Sequence, residues 1–162
     1  MPSTEADSPI INPASLDEDH IHVVAAIIWQ QGNPQPPGQP TFLIAQRPKG
    51  KHLEDYWEFP GGKLESGESP WQALKRELAE EISILLTKAS PFIQVYHRYP
   101  ERNILLDVWL VEGYRGEVTS GEGQELRWID LSQVDLYRLP AADVPVIDAI
   151  KSSAKAEIRR LP

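Results

Sequence analysis

Glu77, Glu80 and Glu81 place three carboxylates at i, i+3 and i+4 spacing. On an α-helix turning about 100° per residue they would share one arc. Like charges at these spacings cost roughly 0.2–0.5 kcal/mol per pair. Only Glu80 has a basic residue, Arg76, at a helical neighbour position. A hard divalent cation with oxygen ligands, Mg²⁺ or Mn²⁺, would account for the cluster. A solvated helix face has the same composition, and spacing alone does not separate the two. Trp71, Leu74, Leu78 and Ile82 fall on the adjoining side. Glu81 lies about 20° around the helix from Leu74, at the rim of the apolar stripe, where burial without a partner is costly.

The helix has a clear start. Ser69 is an N-cap, Pro70 suits the first helical position, and Gln72 completes a capping box, so a helix is expected to run to about Ile82. Val- and Ile-rich runs predict strands at 22–29 and 41–45, joined by a Gly- and Pro-rich connection at 32–40. A short strand is expected at 57–59 before a turn at Pro60-Gly61-Gly62. Further strands are expected at 92–97, 104–112 and 126–129, pairing as antiparallel neighbours. The spacing of Val146, Ile147, Ile150 and Ala154 predicts a closing helix over 144–159. Residues 1–20 mix Pro, Ser, Asp and Glu without a period and read as a mobile acidic tail, leaving residues 21–162 as one domain.

Composition narrows the partners. The chain has 162 residues, 41% of them hydrophobic, enough for one core. It lacks cysteine, which suits a reducing cytoplasm and leaves oxygen or histidine to hold any metal. The net charge of −8 argues against a nucleic-acid polymer. The tail supplies Glu5, Asp7, Asp17, Glu18 and Asp19, so 19 acidic residues face 16 basic ones beyond it. No signal-like segment or membrane-length apolar run is present, so no membrane partner is expected. A small anionic ligand screened by a cation is compatible with this balance.

The run from Gly62 through Glu68 to Arg76-Glu77-Leu78-Ala79-Glu80-Glu81 and Ile82-Ser83-Ile84 resembles the Nudix box. Ser83 stands where that pattern has glycine, a place that often needs a left-handed backbone. Ala25-Ala26-Ile27-Ile28, Gln46-Arg47-Pro48, Trp57-Glu58-Phe59-Pro60-Gly61-Gly62-Lys63 and Leu110-Val111 through Trp128 are similar to segments of the MutT-like branch. The resemblance covers about residues 21–155 and implies an α/β fold, an α/β/α sandwich around a mixed sheet.

It also implies roles. Glu77, Glu80 and Glu81 would be metal ligands, with the Gly62 carbonyl completing the shell. Glu122, in Ser120-Gly121-Glu122-Gly123-Gln124, would bind metal or act as base, and the sequence does not choose between Glu77 and Glu122 for that task. Glu68 and Arg76 would pair as structural support. Arg47 and Lys63 are candidates for substrate phosphate and Arg102 for the nucleotide, although surface charges are as a rule merely solvated. Phe59 and Tyr99 are candidates to pack against a base, with a core aromatic the safer reading for Phe59. Asp143 stands where the branch acting on oxidised guanine has asparagine. It is a candidate for base contact and, equally, for capping the final helix.

The implied activity is metal-dependent hydrolysis of a nucleoside triphosphate to monophosphate and pyrophosphate, with 8-oxo-dGTP leading and a cytidine nucleotide as rival. A non-catalytic module that recognises oxidised guanine belongs to another class, and loss of box glutamates would favour it; none is lost here. Nucleotide sugars and dinucleoside polyphosphates are the remaining alternatives.

Overall fold

The computed structural model describes residues 10–11, 19–31, 39–51 and 53–160, of which 10–11 and 154–160 by their backbone alone. Ten elements follow in order: β1 (Ile10–Ile11), β2 (Ile21–Ile27), β3 (Phe42–Gln46), β4 (Trp57–Glu58), β5 (Gly61–Lys63), α1 (Pro70–Ile82), β6 (Leu85–Arg98), β7 (Asn103–Arg115), β8 (Leu126–Ile129) and α2 (Val144–Arg160). A five-stranded mixed sheet has the order β1-β6-β7-β2-β5, and a three-stranded sheet the order β4-β3-β8.

Strand β2 pairs in parallel with β7, from Ile21↔Ile104 to Ile27↔Leu110. Its apolar run lacks polar alternation because both faces are covered. Val24, Ala26 and Ile28 cluster with Ala73, Leu74, Leu78 and Ile82 of α1. Ala25 and Ile27 belong instead to the cluster containing Val146, Ile147 and Ile150 of α2. The sheet is thus the middle layer of an α/β/α sandwich.

Several expectations are corrected. Ile10–Ile11, inside the supposed tail, runs parallel to Gln94–Val95 of β6, whereas residues 1–9 and 12–18 lie outside the described residues. Most of the 32–40 connection also lies outside them. The Gly61-Gly62 pair is not a turn but the strand β5, antiparallel to β2. A Cβ at Gly61 would sit 1.9 Å from the Val24 carbonyl oxygen, so only glycine lets the two backbones approach. Strand β6 begins at Leu85 rather than at 92. Its first half contains Lys88, Ala89 and Pro91, where register shifts break the alternation that reveals a strand. Strand β8 pairs with β3, not with β6 or β7. Among the described residues no helix is long and apolar enough to cross a membrane.

Helix α1 starts as expected: Ser69 accepts from the Gln72 N–H and Gln72 accepts from the Ser69 N–H. It ends at Ser83, whose φ of 63° and ψ of 30° are left-handed. A side chain there is strained by about 1–2 kcal/mol, partly offset against glycine's greater freedom when unfolded. Replacing Ser83 by Gly is therefore expected to stabilise the protein by about 0.5–1 kcal/mol, a rise of about 1–4 °C in Tm by thermal denaturation.

Candidate active site

The helix brings the three glutamates to the sheet edge at different depths. Glu80 is exposed, Glu77 is partly buried, and Glu81 is buried at 9% exposure. Glu81 Oε2 accepts from the Gly61 N–H at 3.0 Å. Burial pushes its carboxyl up to about 8, opposed by that hydrogen bond and reinforced by the nearby charges of Glu58, Glu77 and Glu122. Glu77 is also raised, chiefly by burial, against the pull of Arg76. The Glu77 carboxyl carbon lies only 2.4 Å from where a Cβ on Gly62 would be, so the glycine forms a cradle for this carboxylate.

Arg76 holds the preceding loop. Its Nε and Nη2 donate to the two oxygens of Glu68, both at 2.8 Å, and Nη2 also reaches the Lys63 carbonyl at 3.1 Å. The guanidinium lowers Glu68 to about 2, helped by the Glu65 N–H. Nη1 donates to Glu77 at 2.9 Å and lies 3.4 Å from Glu80. This corrects the expectation that Glu77 lacks a basic neighbour: adjacent helix positions do not face each other, but this guanidinium is drawn back over the helix by Glu68.

Glu122 arrives from a loop seated on the end of α1. The Thr119 N–H donates to the Ile82 carbonyl at 3.1 Å and the Gly121 N–H to the Glu81 carbonyl at 2.8 Å. Among the described residues no three acidic side chains already enclose a common metal position. The donor set still fits a hard divalent cation: carboxylates of Glu77, Glu80, Glu81 and Glu122, with the backbone carbonyl of Gly62, the residue that cradles Glu77. Its positive charge would relieve a buried carboxylate that has a single backbone donor.

A cleft of about 670 Å³ runs from these glutamates past Lys63 and Arg102 to Arg47, Phe59 and Asp143. Every candidate taken from the sequence borders it except Glu68, which acts through Arg76. Phe59 is 4% exposed and stacks on Phe42 at 5.8 Å, so its main role is in the core. Asp143 ends a short 3-10 turn, Ala141–Asp143, and is 4% exposed. Its Oδ2 has no hydrogen-bond partner, and burial raises its carboxyl well above the usual range, with Glu58 adding and Arg47 opposing. Tyr99 accepts at its hydroxyl from the Ala142 N–H at 3.0 Å, fixing this end of the cleft. Glu58, given no role from the sequence, accepts from Arg47 Nη1 at 2.8 Å and also borders the cleft. Its alternation with Trp57 and Phe59 was the available signal.

The NUDIX domain model matches residues 24–149. The chain belongs to the NUDIX family. As a Nudix hydrolase its chemistry is cleavage of a phosphoanhydride, and members of the family generally depend on divalent metal. The 8-oxo-dGTP diphosphatase of Escherichia coli is 41% identical over 131 residues, 81% of this chain and 96% of that protein. The CTP pyrophosphohydrolase of the same organism is 37% identical over 129 residues, 80% and 90% of the two chains. A solved MutT, from work on Aliivibrio salmonicida and Vibrio cholerae, is 34% identical with a TM-score of 0.66, covering 83% of this chain and 99% of its own. These relatives place the Nudix hydrolase in the MutT-like branch.

The raised Glu81 carboxyl has a sign that can be tested in metal-free protein. A folded-state value of about 8 against an ordinary 4.5 gives stability that is full below about 4.5 and lost as pH rises through 8. Glu81→Gln is expected to melt at a higher temperature than the parent at pH 8 and to show little difference at pH 4. The same variant should lose turnover by about a hundredfold or more with Mg²⁺ present. Parent-like kinetics would remove Glu81 from the metal site.

Proposed function

We propose that this protein hydrolyses a nucleoside triphosphate to the monophosphate and pyrophosphate in the cytoplasm, with 8-oxo-dGTP as preferred substrate. Asp143 carries the choice. Its carboxyl is buried at the far end of the cleft, lacks a partner at Oδ2, and is favoured in the neutral form. A neutral carboxyl has one donor and one acceptor. Oxidised guanine offers the O6 acceptor beside an N7–H donor and matches both. Ordinary guanine offers acceptors at O6 and N7, leaving one buried contact unmade, which costs about 1–3 kcal/mol.

At the other end, Glu77, Glu80 and Glu81 would hold Mg²⁺, or Mn²⁺, with the Gly62 carbonyl. The bound cation would supply charge neutralisation at phosphate oxygens and lower the pKa of water. Glu122 takes the proton of the attacking water: it is exposed at the mouth of the cleft, whereas Glu77 is engaged by Arg76. Lys63 attracts phosphate and Arg102 faces the nucleotide, while Arg47, paired with Glu58 beside Asp143, stands at the base end of the cleft. Removing the oxidised nucleotide would cleanse the pool that supplies DNA synthesis.

The same carboxyl favours a second substrate. Cytosine presents an amino donor beside a ring acceptor, and a cytidine triphosphate would satisfy Asp143 equally. Pyrophosphate release with Mg²⁺ across dGTP, 8-oxo-dGTP, 8-oxo-GTP, dCTP, CTP and ADP-ribose separates the readings. The expected order has 8-oxo-dGTP above dGTP by about tenfold or more in kcat/KM. Preference for CTP or dCTP would transfer the assignment to a cytidine pyrophosphatase, and inactivity on all six would favour a recognition module. Asp143→Ala should lose about 10–100-fold on the preferred substrate, while Asp143→Asn, whose amide also donates and accepts, should retain most activity. Because the neutral acid is required, parent activity should fall as pH rises through the raised value of Asp143, and the Asn variant should lack that fall.

A further inference from the structure

We propose that Gln124 is a positioning residue that aims Glu122 at the box glutamates, an inference that rests on Glu122 acting in this site. The last turn of a helix leaves carbonyls without intrahelical partners. In α1 the Glu81 carbonyl accepts from the Gly121 N–H at 2.8 Å and from Gln124 Nε2 at 3.1 Å. The other end of the same amide, Oε1, accepts from Ser120 Oγ at 2.8 Å and from the backbone N–H of Glu122 at 3.2 Å. One side chain therefore ties the helical turn bearing Glu80 and Glu81 to the backbone of residue 122.

The tie does more than cap the helix, because the Glu81 carbonyl already has the Gly121 N–H. What Gln124 adds is the link to residue 122. The Glu122 residue is exposed, so its direction is set by its backbone rather than by packing. The loop is seated without slack: a Cβ at Gly121 would lie 2.1 Å from the Glu80 carbonyl oxygen, a backbone atom that cannot swing aside. Gly123, at φ of 81°, turns the chain so that Gln124 folds back to the helix. Few side chains can replace the amide. Glutamate keeps the acceptor and loses the donor, and asparagine is one methylene shorter.

The test measures kcat, KM and the Mg²⁺ concentration for half-maximal rate in Gln124→Ala, Glu122→Gln and the double variant. The substrate is the best nucleotide of the panel above, and thermal melting monitors the fold. Glu122→Gln should lower kcat by about a hundredfold, as loss of a general base does. Gln124→Ala should lower kcat by about tenfold with KM within about twofold, the mark of a displaced catalytic group. The double variant should match Glu122→Gln within about twofold, because nothing remains to be aimed. Gln124→Glu should behave as Gln124→Ala does, and it carries the comparison if the alanine variant does not fold.

A tenfold loss that persists in the Glu122→Gln background would overturn the positioning role, as would parent-like kcat in Gln124→Ala while Glu122→Gln is impaired. Both results leave Glu122 in the site. Parent-like kcat in Glu122→Gln would instead remove Glu122 from catalysis and the positioning role with it.

Discussion

Glu81 is buried at the edge of a hydrophobic layer with the charges of Glu77 and Glu122 acting on it, and the cost of holding it there shapes everything around it. Glu81 sits against the sheet with one backbone N–H for company, and burial works against its charge. Were the helix free to tilt, mutual repulsion would open the cluster toward water. Leu74, Leu78 and Ile82 on the adjacent stripe prevent this by anchoring α1 against Val24, Ala26 and Ile28. Packing on one face of the helix therefore opposes electrostatic strain on the next.

Both ends of α1 are fastened by groups that also belong to the site. At the start, Arg76 binds Glu68 through two parallel hydrogen bonds and reaches the Lys63 carbonyl, so the box loop, the first turns and Glu77 move together. At the finish, the loop from Thr119 to Gln124 satisfies the terminal carbonyls and delivers Glu122. Strand β5 completes the frame, because its two glycines admit Val24 on one side and Glu77 on the other.

The opposite end of the cleft meets the same burial cost with different partners. Arg47 and Glu58 form an ion pair beside Asp143, whose carboxyl is buried deeply enough to favour its neutral form. Glu81 and Asp143 are both raised by burial, but Glu81 keeps a backbone N–H donor from Gly61 whereas Asp143 Oδ2 has no hydrogen-bond partner. Tyr99, by accepting from the Ala142 N–H, fixes the short turn that presents Asp143.

The sequence by itself determined the elements whose causes are local. The Ser69–Gln72 box and Pro70 set the start of α1, its 3.6-residue period set the faces, and Ser83 carries the left-handed backbone that its place in the pattern required. The box residues, so closely spaced in the chain, were legible for the same reason. Tertiary structure decided whatever depends on partners distant in sequence. The first half of β6 becomes a strand through β7, β8 joins β3, and Gly61-Gly62 extends because β2 lies alongside. Burial raises both Asp143 and Glu58 and Arg47 opposes the rise in each, but only Glu58 accepts a hydrogen bond from that guanidinium, a difference that the fold decides. Hydrogen-bond geometry and desolvation are properties of the surrounding space, and no spacing along the chain encodes them.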